Sequence, residues 1–424
     1  MNAQLRLEAK RKGISLLEMV IGRIQYLESQ QGISRTLFAA CPNSLSSIRS
    51  AIRSAKRCDA PVKFAATLNQ VDADGGYTGL TQEELVKTVR QEARNINFQG
   101  PVFVAVDHGG PWLKDKQKKE GWSLEAAMQG VKRSFERAVD AGYDMIHVDP
   151  TVDIQLPEGE TIDIDVVVNR TAELIEHAEN YRKRRGHPRI AYEVGTEEVH
   201  GGLADVETFQ YFIKQLKEQL SERQLDVWPL FVVGKVGTDL HTTRFDPQMA
   251  RTLTHITLPY GSVIKGHYTD NVDNPQDYPA SGMGAANVGP EFTEREYDGL
   301  MEMIELEQHY SQAGLIPKRS NLKQILWEEV INSGRWKKWI QPGESGDDFY
   351  DNASQRQEWF IKTGCRYIWQ KPRVVAARGQ LFKNLINNGI DPYAILDAHL
   401  ENSMDKYFFY FNLVNLNKWL QHQP

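Results

Sequence analysis

The sequence predicts an α/β protein built on a (β/α)8 barrel of the TIM type, and three observations carry that prediction. Eight short apolar runs recur along the chain. Amphipathic segments long enough for a crossover helix lie between most of them, as in SLEAAMQGVKRSFERAVDAG and VETFQYFIKQLKEQLSE. Nearly every apolar run closes on a polar residue, and the C-terminal strand ends are where a parallel barrel builds its site.

The elements follow in order. Within an N-terminal segment, residues 1–35, Ile14, Leu17, Ile21, Ile24 and Leu27 recur near helical spacing and predict an amphipathic helix. The eight candidate strands are 36–42, 62–68, 102–106, 145–149, 189–194, 229–236, 262–266 and 285–289, which places the barrel at about 36–295. A doubly wound open sheet is the runner-up, but no GxGxxG follows the first strand. From 296 to 424 the stretches turn helical and aromatic, which predicts a C-terminal helical subdomain whose aromatics serve core or subunit packing.

With 424 residues, 41% hydrophobic and 25% charged, the chain can bury a full globular core. Its net charge of −6 gives no general attraction for nucleic acid or anionic lipid, so neither is expected as a partner. The basic run Arg182–Arg185 reads as the solvated end of a helix that stops at Gly186. Three cysteines without a CxxC exclude a cysteine-rich zinc site and fit a reducing compartment. Charges interrupt every apolar run near the N-terminus, so neither a signal-peptide core nor a membrane span fits and the cytoplasm is expected.

The residues that close the runs carry the chemistry. The second ends in Asn69-Gln70, the third in Asp107-His108, the fourth in Asp149 and the fifth in Glu193. Asp239 and His241 follow the sixth, and His267 with Asp270 follow the seventh. Three imidazoles, His108, His241 and His267, can thus converge on one axis beside carboxylates, and neutral imidazole is a favoured ligand of zinc and related divalent ions. His147, two residues before Asp149, is positioned to orient it, and His200 in EEVHGG can reach in from a loop. The other histidines, His177, His187, His255, His309, His399 and His422, read as exposed. The segment Asp74-Gly75-Gly76-Tyr77-Thr78-Gly79 reads equally as a cradle of backbone amides for a ligand or as an ordinary tight turn.

Several segments in order, NQVDADGGYTG at 69–79, VDHGGP at 106–111, IHVD at 146–149, YEVGTE at 192–197, VGTDLH at 236–241, GHYTD at 266–270 and NVGPEFT at 287–293, carry a family resemblance. Over about residues 36–295 the chain resembles the GatZ/KbaZ-type subunit family of class II tagatose-1,6-bisphosphate aldolases. The resemblance implies a divalent metal, usually zinc with manganese, nickel or cobalt as alternatives, held by His108, His241 and His267. It implies Asp107 as the acid/base that moves the C4 hydroxyl proton while the metal stabilises an enediolate and the C3–C4 bond breaks. Asn69, Gln70, Gly76, Tyr77, Thr78, His147, Asp270 and Asn287 are the candidate substrate contacts, and Asp149 is a candidate catalytic residue with Asp107 and Glu193.

Two departures stand out. Where class II aldolases follow the last metal histidine with a Gly-Gly-Ser-like phosphate loop, this chain has Tyr268-Thr269-Asp270-Asn271, and Asp270 and Glu291 repel a dianion unless paired or protonated. Glu193 is an added acid, a fourth metal ligand or a second base. Three functions follow as expectations: retro-aldol cleavage of tagatose or fructose (bis)phosphates, C4 epimerisation of tagatose and fructose or their phosphates, and a non-catalytic accessory subunit. The expected partners are a ketose or ketose phosphate and either further copies of the chain or a separate aldolase subunit. No P-loop or kinase signature is present.

Overall fold

The computed structural model describes residues 3–157, 160–196 and 202–421. Each of the eight apolar runs forms a strand: β1 Leu37–Ala40, β2 Val62–Thr67, β3 Val102–Gly109, β4 Met145–Val148, β5 Ala191–Gly195, β6 Phe231–Val233, β7 Val263–Gly266 and β8 Met283–Val288. All pair in parallel, each with its neighbours in sequence, and β8 closes on β1 to complete the barrel. Parallel strands covered on both faces read as continuous apolar runs rather than as alternation, which is why they were visible in the sequence.

One helix, Leu16–Gln31, precedes β1 and others cross over between successive strands, and their starts are written in local sequence. Ser15 with Glu18, Ser44 with Ser47 and Thr81 with Glu84 each form a reciprocal capping box, which satisfies amide donors that the first helical turn leaves free. The basic run ends its helix as expected: Gly186 takes φ 70° and its N–H bonds back to the carbonyls of Arg182 and Lys183. No described helix is long and apolar enough to cross a membrane.

The C-terminal part divides differently from the expected break at 296, which falls inside one continuous helix, Pro290–Gln312. Leu300, Leu326, Val330, Trp336, Phe360 and Leu381 build a second apolar core. Leu400, Met404, Tyr407, Phe408 and Phe411 instead join the barrel core. The reason is a short crossover between β7 and β8, where the helix Asp277–Ala280 has only 4 residues. The long helix Pro392–Tyr410 packs there, with Tyr407 stacked on Phe38 of β1 at 5.6 Å and Phe411 5.5 Å from Tyr278. The Tyr407 hydroxyl donates to the Thr269 carbonyl just beyond β7 at 2.9 Å.

Candidate active site at the barrel mouth

The site begins with a break in the strand rule. Successive residues of a strand face opposite sides, yet Asp107 and His108 both reach the barrel mouth. They do so because His108 has φ 49° and the pairing of β3 with β4 slips between Val106 and Gly109. Left-handed backbone at a residue with a Cβ is a strained conformation held by its surroundings. Gly110 lets the chain leave the strand close to β4, since a Cβ there would lie 1.7 Å from the Asp149 carbonyl oxygen.

Asp107, His108, His147 and His267 offer ligand atoms that all lie within 4.8 Å of one another. The Nδ1 of His147 lies 3.3 Å from Glu193 Oε1 and 3.5 Å from Asp107 Oδ1, and His267 Nε2 lies 3.1 Å and 3.6 Å from the same two oxygens. His108 Nδ1 meets Asp149 Oδ2 at 2.5 Å. The Asp149 carboxyl is held down at about 2: burial pushes it up, but the His108 and Thr151 hydrogen bonds and the neighbouring imidazoles outweigh it. Asp149 is therefore the acceptor and Nδ1 carries a proton, which leaves Nε2 as the nitrogen that can give up its own proton and turn a lone pair to the cavity.

Two lysines that sequence reasoning passed over lie among these groups. Lys265 Nζ sits 2.5 Å from Glu193 and 3.3 Å from Asp107, and Lys63 Nζ is 3.7 Å from Glu193; both lysines are fully buried. Burial pushes the Asp107 and Glu193 carboxyls up, but Lys265 and the imidazoles, with Lys63 at Glu193, hold both well below the usual range. Burial, then Lys265, lowers Lys63 to about 7, while the two carboxylates outweigh burial and raise Lys265. The available signal was a charged residue inside an otherwise apolar run, VKFAAT and SVIKG.

A cavity of about 210 Å³ opens on Asp107, His108 and His267, with Asn43, Asn69, Gln70, Tyr77, Asp270, Asn287, Arg366 and Tyr367 among its walls. Asn287 Nδ2 donates to both oxygens of Asp107, at 3.0 and 3.1 Å. Gln70 Nε2 donates to Asn43 Oδ1 at 2.7 Å, and Asn69 braces the next loop through the Leu113 carbonyl and the Asp115 N–H, both at 2.9 Å. Asp270 accepts the N–H groups of Gly289 and Glu291 at 2.8 and 2.7 Å, and burial still raises it to about 7. Gly76 and Thr78 lie outside the cavity wall and fold their loop back on the chain. A Cβ at Gly76 would meet the Gln70 carbonyl oxygen at 2.3 Å, and Thr78 donates to that carbonyl. Only Tyr77 of the expected glycine loop enters the cavity wall.

His241 is not brought to the cluster. It is exposed, its N–H bonds Asp239 at 2.6 Å, and its ring packs 5.1 Å from Trp359 of the C-terminal part. His147 stands where the third imidazole was expected, because its side chain points inward from β4. His200 lies outside the described residues, as do Glu197 and His422. Of the other histidines, His177, His187 and His399 pair with Glu136, Asp140 and Glu302.

The residues present fit a divalent ion. Burial and Lys265 lower His267 to about 3, so its ring is neutral at physiological pH, and Asp149 holds the far nitrogen of His108 as carboxylates behind metal-binding histidines do. Burial lowers His108, but Asp107 and Asp149 outweigh it and raise that ring to about 9, so an ion has a proton to displace there.

Fold and site together define a (β/α)8-barrel protein whose strand ends gather buried imidazoles and carboxylates. The chain belongs to the D-tagatose-1,6-bisphosphate aldolase subunit GatZ/KbaZ-like family, whose model matches residues 24–409. Among solved structures it is similar to a probable tagatose 6 phosphate kinase from Sinorhizobium meliloti 1021, with 21% identity and a TM-score of 0.69 over 89% of this chain and 100% of that one. It is also similar to the fructose-bisphosphate aldolase of Campylobacter jejuni, with 11% identity and a TM-score of 0.50 over 92% and 93% of the two chains. At such identities the likeness is one of fold.

Proposed function

We propose that this chain breaks the C3–C4 bond of a ketohexose or ketohexose phosphate of the tagatose/fructose type, with Asp107 as the proton carrier. The observation that supports this reading is the group of Asp107, His108, His147 and His267 at the strand ends, ligand atoms within 4.8 Å of one another. His108, His147 and His267 would hold a divalent ion, zinc or a related metal, which when bound supplies Lewis acidity toward the ketose oxygens. Asp107, held ionised by Lys265 and gripped by Asn287, takes the C4 hydroxyl proton. As the C4 oxygen becomes a carbonyl, the electron pair of the C3–C4 bond moves toward C2. Lys265, beside both carboxylates, keeps their charges compatible with burial.

A second reading, C4 epimerisation, is supported by Glu193. Its carboxylate lies 3.1 Å from His267 and 3.3 Å from His147. Glu193 is fully buried beside these imidazoles and is not part of the cavity wall, and epimerisation would use it as a second proton carrier for re-addition to the opposite face of the aldehyde. The family's description as an aldolase subunit supports a third, in which the chain assists a separate aldolase. Incubating the purified, metal-loaded protein with fructose, tagatose and their 6-phosphates and 1,6-bisphosphates, followed by NMR, separates the three. Triose products support cleavage, a C4-inverted hexose supports epimerisation, and no turnover without an added aldolase overturns both catalytic readings.

A further inference from the structure

The C-terminal helices do more than pack. A short turn, Cys365–Tyr367, follows the helix Ser354–Gly364 and brings Arg366 and Tyr367 into the wall of the barrel-mouth cavity. Arg366 is 7% exposed, the same as Arg23 and Arg182. Those two have carboxylate partners at 2.7 Å, Glu8 and Glu179. Among the described residues Arg366 has no carboxylate partner, and its Nη1 has no hydrogen-bond acceptor at all. Its neighbours are aromatic: the guanidinium lies 5.3 Å from the Trp339 ring centre and 5.0 Å from that of Tyr367, which in turn meets Tyr77 edge-on at 4.8 Å. Cation–π contacts offset part of the cost, but a buried cation with an idle donor is costly unless an anion completes it.

We propose that Arg366, flanked by Tyr77 and Tyr367, anchors the anionic end of the substrate, a phosphate monoester or a sugar carboxylate, and so selects anionic over neutral ketoses. The inference rests on the reading that this cavity takes a ketose. It assigns the anion to the C-terminal part, not to the segment after β7, where Asp270 already takes the Gly289 and Glu291 amides. A guanidinium whose Nη1 has no acceptor suits phosphate and carboxylate alike, since both present oxygens for a charge-assisted hydrogen bond.

The test measures calorimetric binding of fructose, fructose 6-phosphate and fructuronate to the metal-loaded wild type, R366K and R366Q. In the wild type one of the two anions is expected to bind about tenfold or more tighter than fructose, as a charge-assisted hydrogen bond provides, and whichever does so names the anion. R366Q reduces that ratio to below about threefold, and R366K, which keeps the charge without the fork, retains part of it. A wild type that binds fructose as tightly as both anions, or binds none of the three, overturns the proposal, as does an unchanged ratio in R366Q. Should R366Q fail to melt cooperatively, the wild-type ratio and R366K decide the matter. Because binding is read without turnover, a protein that prefers the anion yet yields neither triose nor epimer retires the catalytic reading and leaves the anchor standing.

Discussion

His108 and Asp149, from the ends of neighbouring strands β3 and β4, are joined by a 2.5 Å hydrogen bond between Nδ1 and Oδ2. The bond fixes the ring orientation of a residue whose backbone is already in the left-handed region, so ring and main chain are both committed to one direction. Asp149 is thus a positioning residue for His108, and its second oxygen is taken by the Thr151 hydroxyl.

Asp149→Asn frees the ring of His108 to flip or to change tautomer. The barrel is expected to survive, with cooperative melting, while affinity for a divalent ion falls about 10- to 100-fold, the usual effect of losing an outer-shell partner. Competition against a chelating dye measures it.

Lys265→Met leaves Asp107 and Glu193 buried without their shared ammonium. Breaking a buried ion pair this way costs about 3–5 kcal/mol, read as a lowered urea midpoint in the metal-free protein. An added divalent ion partly replaces the lost positive charge, so it should raise the midpoint of the variant more than that of the wild type.

The raised His108 ring gives a pH dependence with a definite sign. Its folded-state value of about 9 exceeds the ordinary imidazole value of 6.5, so in the metal-free protein this contribution to stability is complete below pH 6.5 and lost as pH rises toward 9. Metal must displace that proton, so affinity rises through the same window. Calorimetry at pH 7 in buffers of different ionisation enthalpy should show a proton released per ion bound.

Asp107→Asn preserves the shape of the group and its contact with Asn287 but removes the base. Turnover is expected to fall by about 10²- to 10⁴-fold on whichever substrate the wild type converts, with metal content unchanged. Full activity in this variant would remove Asp107 from the mechanism.

Much of this was legible in the sequence for a physical reason. Strands buried on both faces are continuous apolar runs, so β1 to β8 announced themselves, and Asp107, His108, Glu193 and His267 stood out as polar ends or neighbours of such runs. His147 was harder to weigh, because one residue's place on a strand does not reveal which face it takes until the register is known. His241 was misleading for the opposite reason: it follows β6 in sequence, but the loop carries it outward onto Trp359. Lys63 and Lys265 sat within the apolar runs in plain view, and Arg366 arrives from helices more than 200 residues beyond Tyr77 in a packing that no local pattern encodes.

The most direct test of the candidate centre is metal content by elemental analysis of the wild type, H147A and H241A, each purified with the same divalent ion. About one ion per chain is expected in the wild type and H241A, and almost none in H147A. A full equivalent in H147A, with loss in H241A, would contradict this and return the third ligand to the loop after β6.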